Sequence, residues 1–282
     1  MATVRSRAPW GSRRGPRRPP PAVDVARRTG AQPPGGQVSL PREVCATARL
    51  VDLSLPIYHE MPIWSGEPKT AVIDYFRIGR QAGDAEIMNM KLLVLCGHAG
   101  THTDAPAHLR VDGPTLDGCP LERYVGPARV LDLTEHHGGG RDIDAADLLQ
   151  PGRAHLLTAG RRLLLRTGWD RHLGTERYFD KVAMPKLTVA ALSLLAERRV
   201  GLVGVDTPSV NPYLDQHAAL FQGVEPPVAV ELLTNLSALP SDRDVFLICL
   251  PLRIREGDGS PVRAVAVVED GDGAAWSDIG ER

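Results

Sequence analysis

The segment His98-Ala99-Gly100-Thr101-His102-Thr103-Asp104-Ala105-Pro106-Ala107-His108 constrains this chain more than any other. Three imidazoles and one carboxylate fall within eleven positions, spaced H-x3-H-x-D-x3-H. Neutral imidazole and carboxylate are donor types that suit zinc or manganese. On a helix His98 and His102 would share a face, but Gly97, Gly100 and Pro106 oppose a continuous helix. The expectation is a strand over 90–95 that spills into a tight loop, whose small residues let His98, His102 and Asp104 converge. A polar loop with scattered histidines is the plain alternative. Four candidate donors this close, in a chain with nine histidines, weigh against it.

A second signal lies downstream. Glu231 interrupts the apolar run Val228-Ala229-Val230-Glu231-Leu232-Leu233. A buried carboxylate is costly unless it is paired or holds a cation, so Glu231 counts as a candidate ligand. A short helix expected over 215–221 presents His217. Asp206 ends an apolar strand over 201–206 and reads as an orienter of the following loop. His136 and His137 precede three glycines and point apart, which reads as a loop. His59 also reads as a loop residue without catalytic duty.

Residues 1–47 read as a disordered Arg/Pro-rich tail, because Pro19-Pro20-Pro21 and Pro33-Pro34-Gly35-Gly36 block regular structure. Residues 1–40 hold eight Arg against one Asp, a net +7 that leaves −8 for the rest of a chain whose total is −1. Such a tail could serve a non-enzymatic nucleic-acid-binding protein as its basic arm. Its lack of periodicity and its single aromatic, Trp10, favour a solvated extension instead. The start lacks the apolar stretch of a secretory signal, and no apolar run approaches the roughly 20 residues of a membrane span. Cys45, Cys96, Cys119 and Cys249 form no C-x-x-C pair, as expected of reduced thiols in the cytoplasm.

Residues 48–282 read as one domain. Strands are expected over 49–54, 70–78, 128–133, 163–168, 226–231, 245–251 and 262–268, besides those at 90–95 and 201–206. Asp142 or Asp144 caps a short helix over 145–149, and Thr188 caps an amphipathic helix reaching about 198. The strand, helix and strand between 163 and 206 read as a βαβ unit.

HAGTHTDAPAH (98–108) resembles the H-x-G-T-H-x-D-x-P-x-H signature of the cyclase family of metal-dependent hydrolases, whose best-known members are bacterial kynurenine formamidases. The likeness runs from about Val51 to Val268. It includes PIWSGEP (62–68), LLLRTGW (163–169), GVDTPSVNP (204–212), His217, Glu231 and SPVRAVAV (260–267). Where the formamidases usually show an Asp after the SV of the third segment, this chain has Asn211.

The resemblance implies an α/β fold, a mixed-sheet swivelling β/β/α-type single domain, assembled as a dimer or tetramer. It implies two divalent ions, zinc or manganese. His98, His102 and Asp104 would hold one and His217 the other, with Asp104 and Glu231 shared. It gives His108 the acid/base role, which suits an imidazole, and places Trp64 against an aryl substrate. The implied reaction is hydrolysis of N-formyl-L-kynurenine to L-kynurenine and formate, in tryptophan catabolism. An isatin-hydrolase-like or polyketide-tailoring activity would keep the same ligands and change the pocket.

Overall fold

Leu163, Leu164 and Leu165 are all completely buried, as befits a central strand covered on both faces. They belong to β6 (Arg162–Arg166), which pairs in parallel with β5 (Val125–Asp132) and β7 (Leu202–Val205). In the computed structural model, which describes residues 48–79, 88–136 and 141–269, β7 pairs in parallel with β8 (Val228–Glu231). Antiparallel strands extend both edges. Beyond β5 lie β9 (Val245–Ile248), β11 (Val265–Glu269) and β1 (Ala48–Asp52). Beyond β8 lie β4 (His102–Asp104) and β10 (Gly259–Pro261). The nine strands run in the order β1-β11-β9-β5-β6-β7-β8-β4-β10. A separate hairpin joins β2 (Ala71–Phe76) to β3 (Met90–Val94).

Alternation along the strands divides the core. Leu164, Leu202, Val228 and Val230 enter one apolar cluster, while Leu163, Leu165, Val203, Val205 and Ala229 enter the other. The second cluster is closed by α2 (Val189–Glu197), through Ala191, Leu192 and Leu195. Each such leucine, once buried, contributes about 1.5–3 kcal/mol of transfer free energy. Thr188 caps α2 as expected, its hydroxyl oxygen accepting from the Ala191 amide at 3.3 Å. α1 (Ala145–Leu148) starts at Asp144, which forms a reciprocal capping box with Asp147. β6, α2 and β7 make the expected βαβ crossover between parallel strands.

The fold is α/β with a mixed sheet. Among the described residues, no helix is long and apolar enough to cross a membrane. The tail at 1–47, the stretch around Gly83-Asp84 that reads in the sequence as a polar turn joining the strands expected over 70–78 and 90–95, and His137 with its glycines lie outside the described residues. One local expectation is corrected. The motif is not a loop throughout, because residues 102–104 form a strand laid onto the edge of β8.

Candidate metal centre

That short strand does what the loop was expected to do. Side chains alternate across a strand, so His102 and Asp104 face one side and Thr103 the other. The Thr103 hydroxyl donates to the Ala229 carbonyl at 2.7 Å, which locks the register on β8. In that register His102 sits directly opposite Glu231. Gly100, in the left-handed region at φ +64°, turns the chain so that His98 folds back over the strand. The His98 Nδ1 atom then lies 2.8 Å from Asp104 Oδ1. His102 Nε2 approaches the same oxygen at 3.2 Å, while its Nδ1 is held by the Gly100 carbonyl at 2.8 Å.

Glu231 ends β8, followed by Leu232 in a left-handed conformation at φ +56°. Such backbone costs on the order of 1–3 kcal/mol for a non-glycine residue. It is tied down on both sides. The Leu232 amide donates to the Thr207 carbonyl at 3.0 Å, and the Leu232 carbonyl accepts from the Thr101 hydroxyl at 2.6 Å. Thr101 thus links the motif to the Glu231 turn. Glu231 Oε1 accepts from the Ser209 hydroxyl at 2.9 Å and the Val210 amide at 2.8 Å.

His217 ends α3 (Leu214–His217) and is fully buried. The loop before it is fixed by Asn211, whose side-chain nitrogen donates to the Leu187 carbonyl and to Gln216, and whose oxygen accepts from the Tyr213 amide. An ionised Asp could not make the two donated bonds. Among the described residues, His217 Nε2 has no hydrogen-bond partner. It lies 3.9 Å from Asp104 Oδ2 and 4.0 Å from Glu231 Oε1. These gaps are too long for hydrogen bonds. They match the spacing of donors that each stand about 2 Å from one cation. An orphaned buried nitrogen costs about 1–3 kcal/mol, which a cation would relieve. The donors fit two overlapping buried sets, His98-His102-Asp104 and Asp104-His217-Glu231, and a third, more exposed set, His98-His108-Asp258, shares His98 with the first.

The electrostatics point the same way. Burial pushes His217 down to about 4, which keeps its lone pair available. Burial, and then the charge of Asp104, push Glu231 up to about 8. Burial opposes ionisation of Asp104, but His102 and His98 outweigh it and hold the carboxyl well below its usual range. Burial disfavours a charged His98, yet Asp104 and Asp258 together raise it to about 10. His108 is lowered by burial.

His98, His102, Asp104, His108, His217 and Glu231 border one cavity of about 210 Å³, which Trp64 and Lys181 also line. The Trp64 ring meets Phe179 edge-on at 5.1 Å, and Lys181 Nζ lies 5.2 Å from its centroid. Every site residue expected from the sequence therefore reaches this cavity: His98, His102, Asp104, His108, His217, Glu231 and Trp64. Lys181 and Asp258 were not foreseen. A lone Lys in a loop carries no spacing signal, and Asp258 sits in the polar stretch Arg255-Glu256-Gly257-Asp258, which reads as solvated surface. His136, expected in a loop, is buried, with Nε2 3.7 Å from Asp147.

Residues 51–212 match the family model described as putative cyclase. The chain belongs to the cyclase family, and it is an enzyme of the hydrolase class. It is 32% identical over 225 residues to the kynurenine formamidase of Bacillus cereus, covering 78% of this chain and 97% of that protein. The kynurenine formamidase of Bacillus cytotoxicus is likewise 32% identical, with coverages of 76% and 95%. Among solved structures, an isatin hydrolase bound to the product analogue thioisatinate superposes with a TM-score of 0.69 at 25% identity, over 80% of this chain and 95% of the other. Isatin hydrolase A from Ralstonia solanacearum gives 0.65 at 26% identity, over 79% and 92%.

Proposed function

We propose that the protein hydrolyses N-formyl-L-kynurenine to L-kynurenine and formate, as a step of tryptophan catabolism. The observation that carries this reading is one cavity lined by the two overlapping buried donor sets, His108, Trp64 and Lys181. His98, His102 and Asp104 would hold one divalent ion, and His217 a second, with Asp104 and Glu231 between them. Zinc suits the donors, and so does manganese. Bound there, the ions would lower the pKa of water and stabilise negative charge on the carbonyl oxygen.

The chain's own residues do the rest. Ser209 and Val210 hold the Glu231 carboxylate in place, and the Gly100 carbonyl fixes the His102 ring. As water adds to the formyl carbon, His108 takes up one of its protons. As the carbon–nitrogen bond breaks, His108 delivers that proton to the departing aniline nitrogen, leaving formate and the free amine. An anilide nitrogen leaves poorly unless protonated, so this step matters to the rate. Trp64 offers its face to the aryl ring, and Lys181 offers an ammonium to the amino-acid carboxylate. Roles for the last two favour an amino-acid substrate.

Isatin hydrolysis is a second reading, favoured by the superposition on isatin hydrolases. Isatin carries an aryl amide but no carboxylate to meet Lys181. Turnover of the two compounds side by side separates the readings: the formamidase reading expects N-formyl-L-kynurenine to be much the better substrate, and the reverse order would replace it.

The same reading includes a homo-oligomer in the cytoplasm. It is supported by the apolar surface of the β2–β3 hairpin, where Ile73, Tyr75, Leu92 and Leu93 are exposed, and by the free cysteines Cys96, Cys119 and Cys249. Light scattering of the purified protein tests the assembly, and a monomer would remove it.

A further inference from the structure

Asp258 lies outside the two buried donor sets and shares the third with His98 and His108, and one of its oxygens touches both of these imidazoles. Oδ2 lies 3.0 Å from His98 Nε2 and 3.4 Å from His108 Nδ1. The two rings stand side by side, with centroids 4.1 Å apart. The placement of Asp258 is set by the sheet. Its carbonyl accepts from the Ala105 amide at 2.8 Å, and Gly259 pairs with Asp104 in the β10–β4 ladder. The backbone beside it presses on the His98 ring. A Cβ at Gly259 would stand 2.4 Å from His98 Cε1, and one at Gly97 would stand 2.8 Å from the Gly259 carbonyl oxygen. Only two glycines let the chain pass this close to the ring.

A neutral imidazole carries one proton, and the acceptor it meets decides which nitrogen keeps it. Histidines that hold a metal ion almost always donate the other ring N–H to a carboxylate or carbonyl. His102 satisfies this through the Gly100 carbonyl. For His98 the corresponding acceptor is Asp258.

We propose that Asp258 is a positioning residue that sets His98 and His108 in opposite tautomers with one oxygen. His98 keeps its proton on Nε2, leaving Nδ1 to face the cation beside Asp104. His108 keeps its proton on Nδ1, leaving Nε2 as the atom that takes up and delivers the proton of the reaction. This rests on His98 as a ligand and His108 as the acid/base, as set out above. It adds a single carboxylate that couples the two roles.

The test uses zinc-loaded protein with ¹⁵N-labelled histidine. Long-range proton–nitrogen NMR reads each tautomer, and a chelator competition reads zinc affinity. The wild type is expected to show His98 protonated at Nε2 and His108 at Nδ1. In Asp258→Ala, His108 is expected to shift towards the Nε2–H form and zinc to bind roughly 10–100-fold more weakly. With N-formyl-L-kynurenine, kcat is expected to fall more than KM rises. Asp258→Asn keeps the size and one acceptor oxygen, so a smaller change in the same direction is expected, and it supplies the readout if the alanine variant does not fold. Unchanged tautomers with zinc affinity within twofold of wild type would overturn the proposal. Neither spectrum nor competition needs a substrate, so failure to turn over N-formyl-L-kynurenine would leave this test standing.

Discussion

His102 and Glu231 face each other across the β4–β8 ladder, with His102 Nε2 3.7 Å from Glu231 Oε2. Backbone pairing therefore decides which donors meet. A slip of one residue would turn His102 and Asp104 to the opposite face and bring Thr103 to the cavity. The Thr103 hydroxyl on Ala229 and the Val262 amide on the Thr101 carbonyl hold that register from both sides. The centre is thus a property of the sheet edge, although His98 and His217 arrive from a turn and a short helix.

The division of labour between ligands and His108 makes the first prediction. His108→Ala should keep its metal content, measured by elemental analysis, and lose roughly 10²–10⁴-fold in kcat. An emptied site in this variant would make His108 a ligand instead.

Asp104 belongs to both donor sets. Asp104→Ala should lose both ions and all measurable turnover, and Glu231→Gln, which keeps one neutral oxygen donor, should weaken both ions to a lesser degree. Retention of a full metal complement by Asp104→Ala would show that Asp104 does not bridge.

Lys181 lines the cavity beside Trp64. Lys181→Met should raise KM for N-formyl-L-kynurenine about tenfold, the equivalent of about 1.4 kcal/mol. It should leave formanilide, which lacks the carboxylate, within twofold of wild type. Equal losses on both compounds would assign Lys181 a packing role.

Asp206 supplies the pH dependence. Its carboxylate accepts from the Thr167 amide and hydroxyl and from the Gly168 amide, yet burial pushes it up to about 7. The ordinary value is 3.8. With the folded value raised, the folded state binds more protons between about pH 4 and 7, and stability from this group is lost as pH rises through 7. Urea titrations of chelated wild type and Asp206→Asn at pH 5 and pH 8 should show wild type losing ground to the variant at the higher pH, by up to roughly 3 kcal/mol. A gap that stays constant would mean Asp206 is ionised throughout.

Much of this was legible in the sequence. The parallel strands at 162–166, 202–205 and 228–231 are short apolar runs, and capping residues fixed the starts of α1 and α2. Glu231 stood out because it broke such a run, and the motif's donors stood out by their spacing. The strand at 102–104 did not, because three residues carry no periodicity and its glycines and proline read as turn. Only pairing with β8 makes it a strand. β10 escaped for the same reason, and Asp258 with it. Its role depends on which strand lies beside it, which local sequence does not encode.

The most direct measurement is formate release from N-formyl-L-kynurenine by the purified protein, loaded with zinc, loaded with manganese, and stripped by chelator. The account expects rapid release from at least one loaded form, loss on chelation, and recovery when the ion is restored. No release from protein shown to hold its ions would contradict the formamidase assignment, and release that survives complete stripping would contradict the metal centre itself.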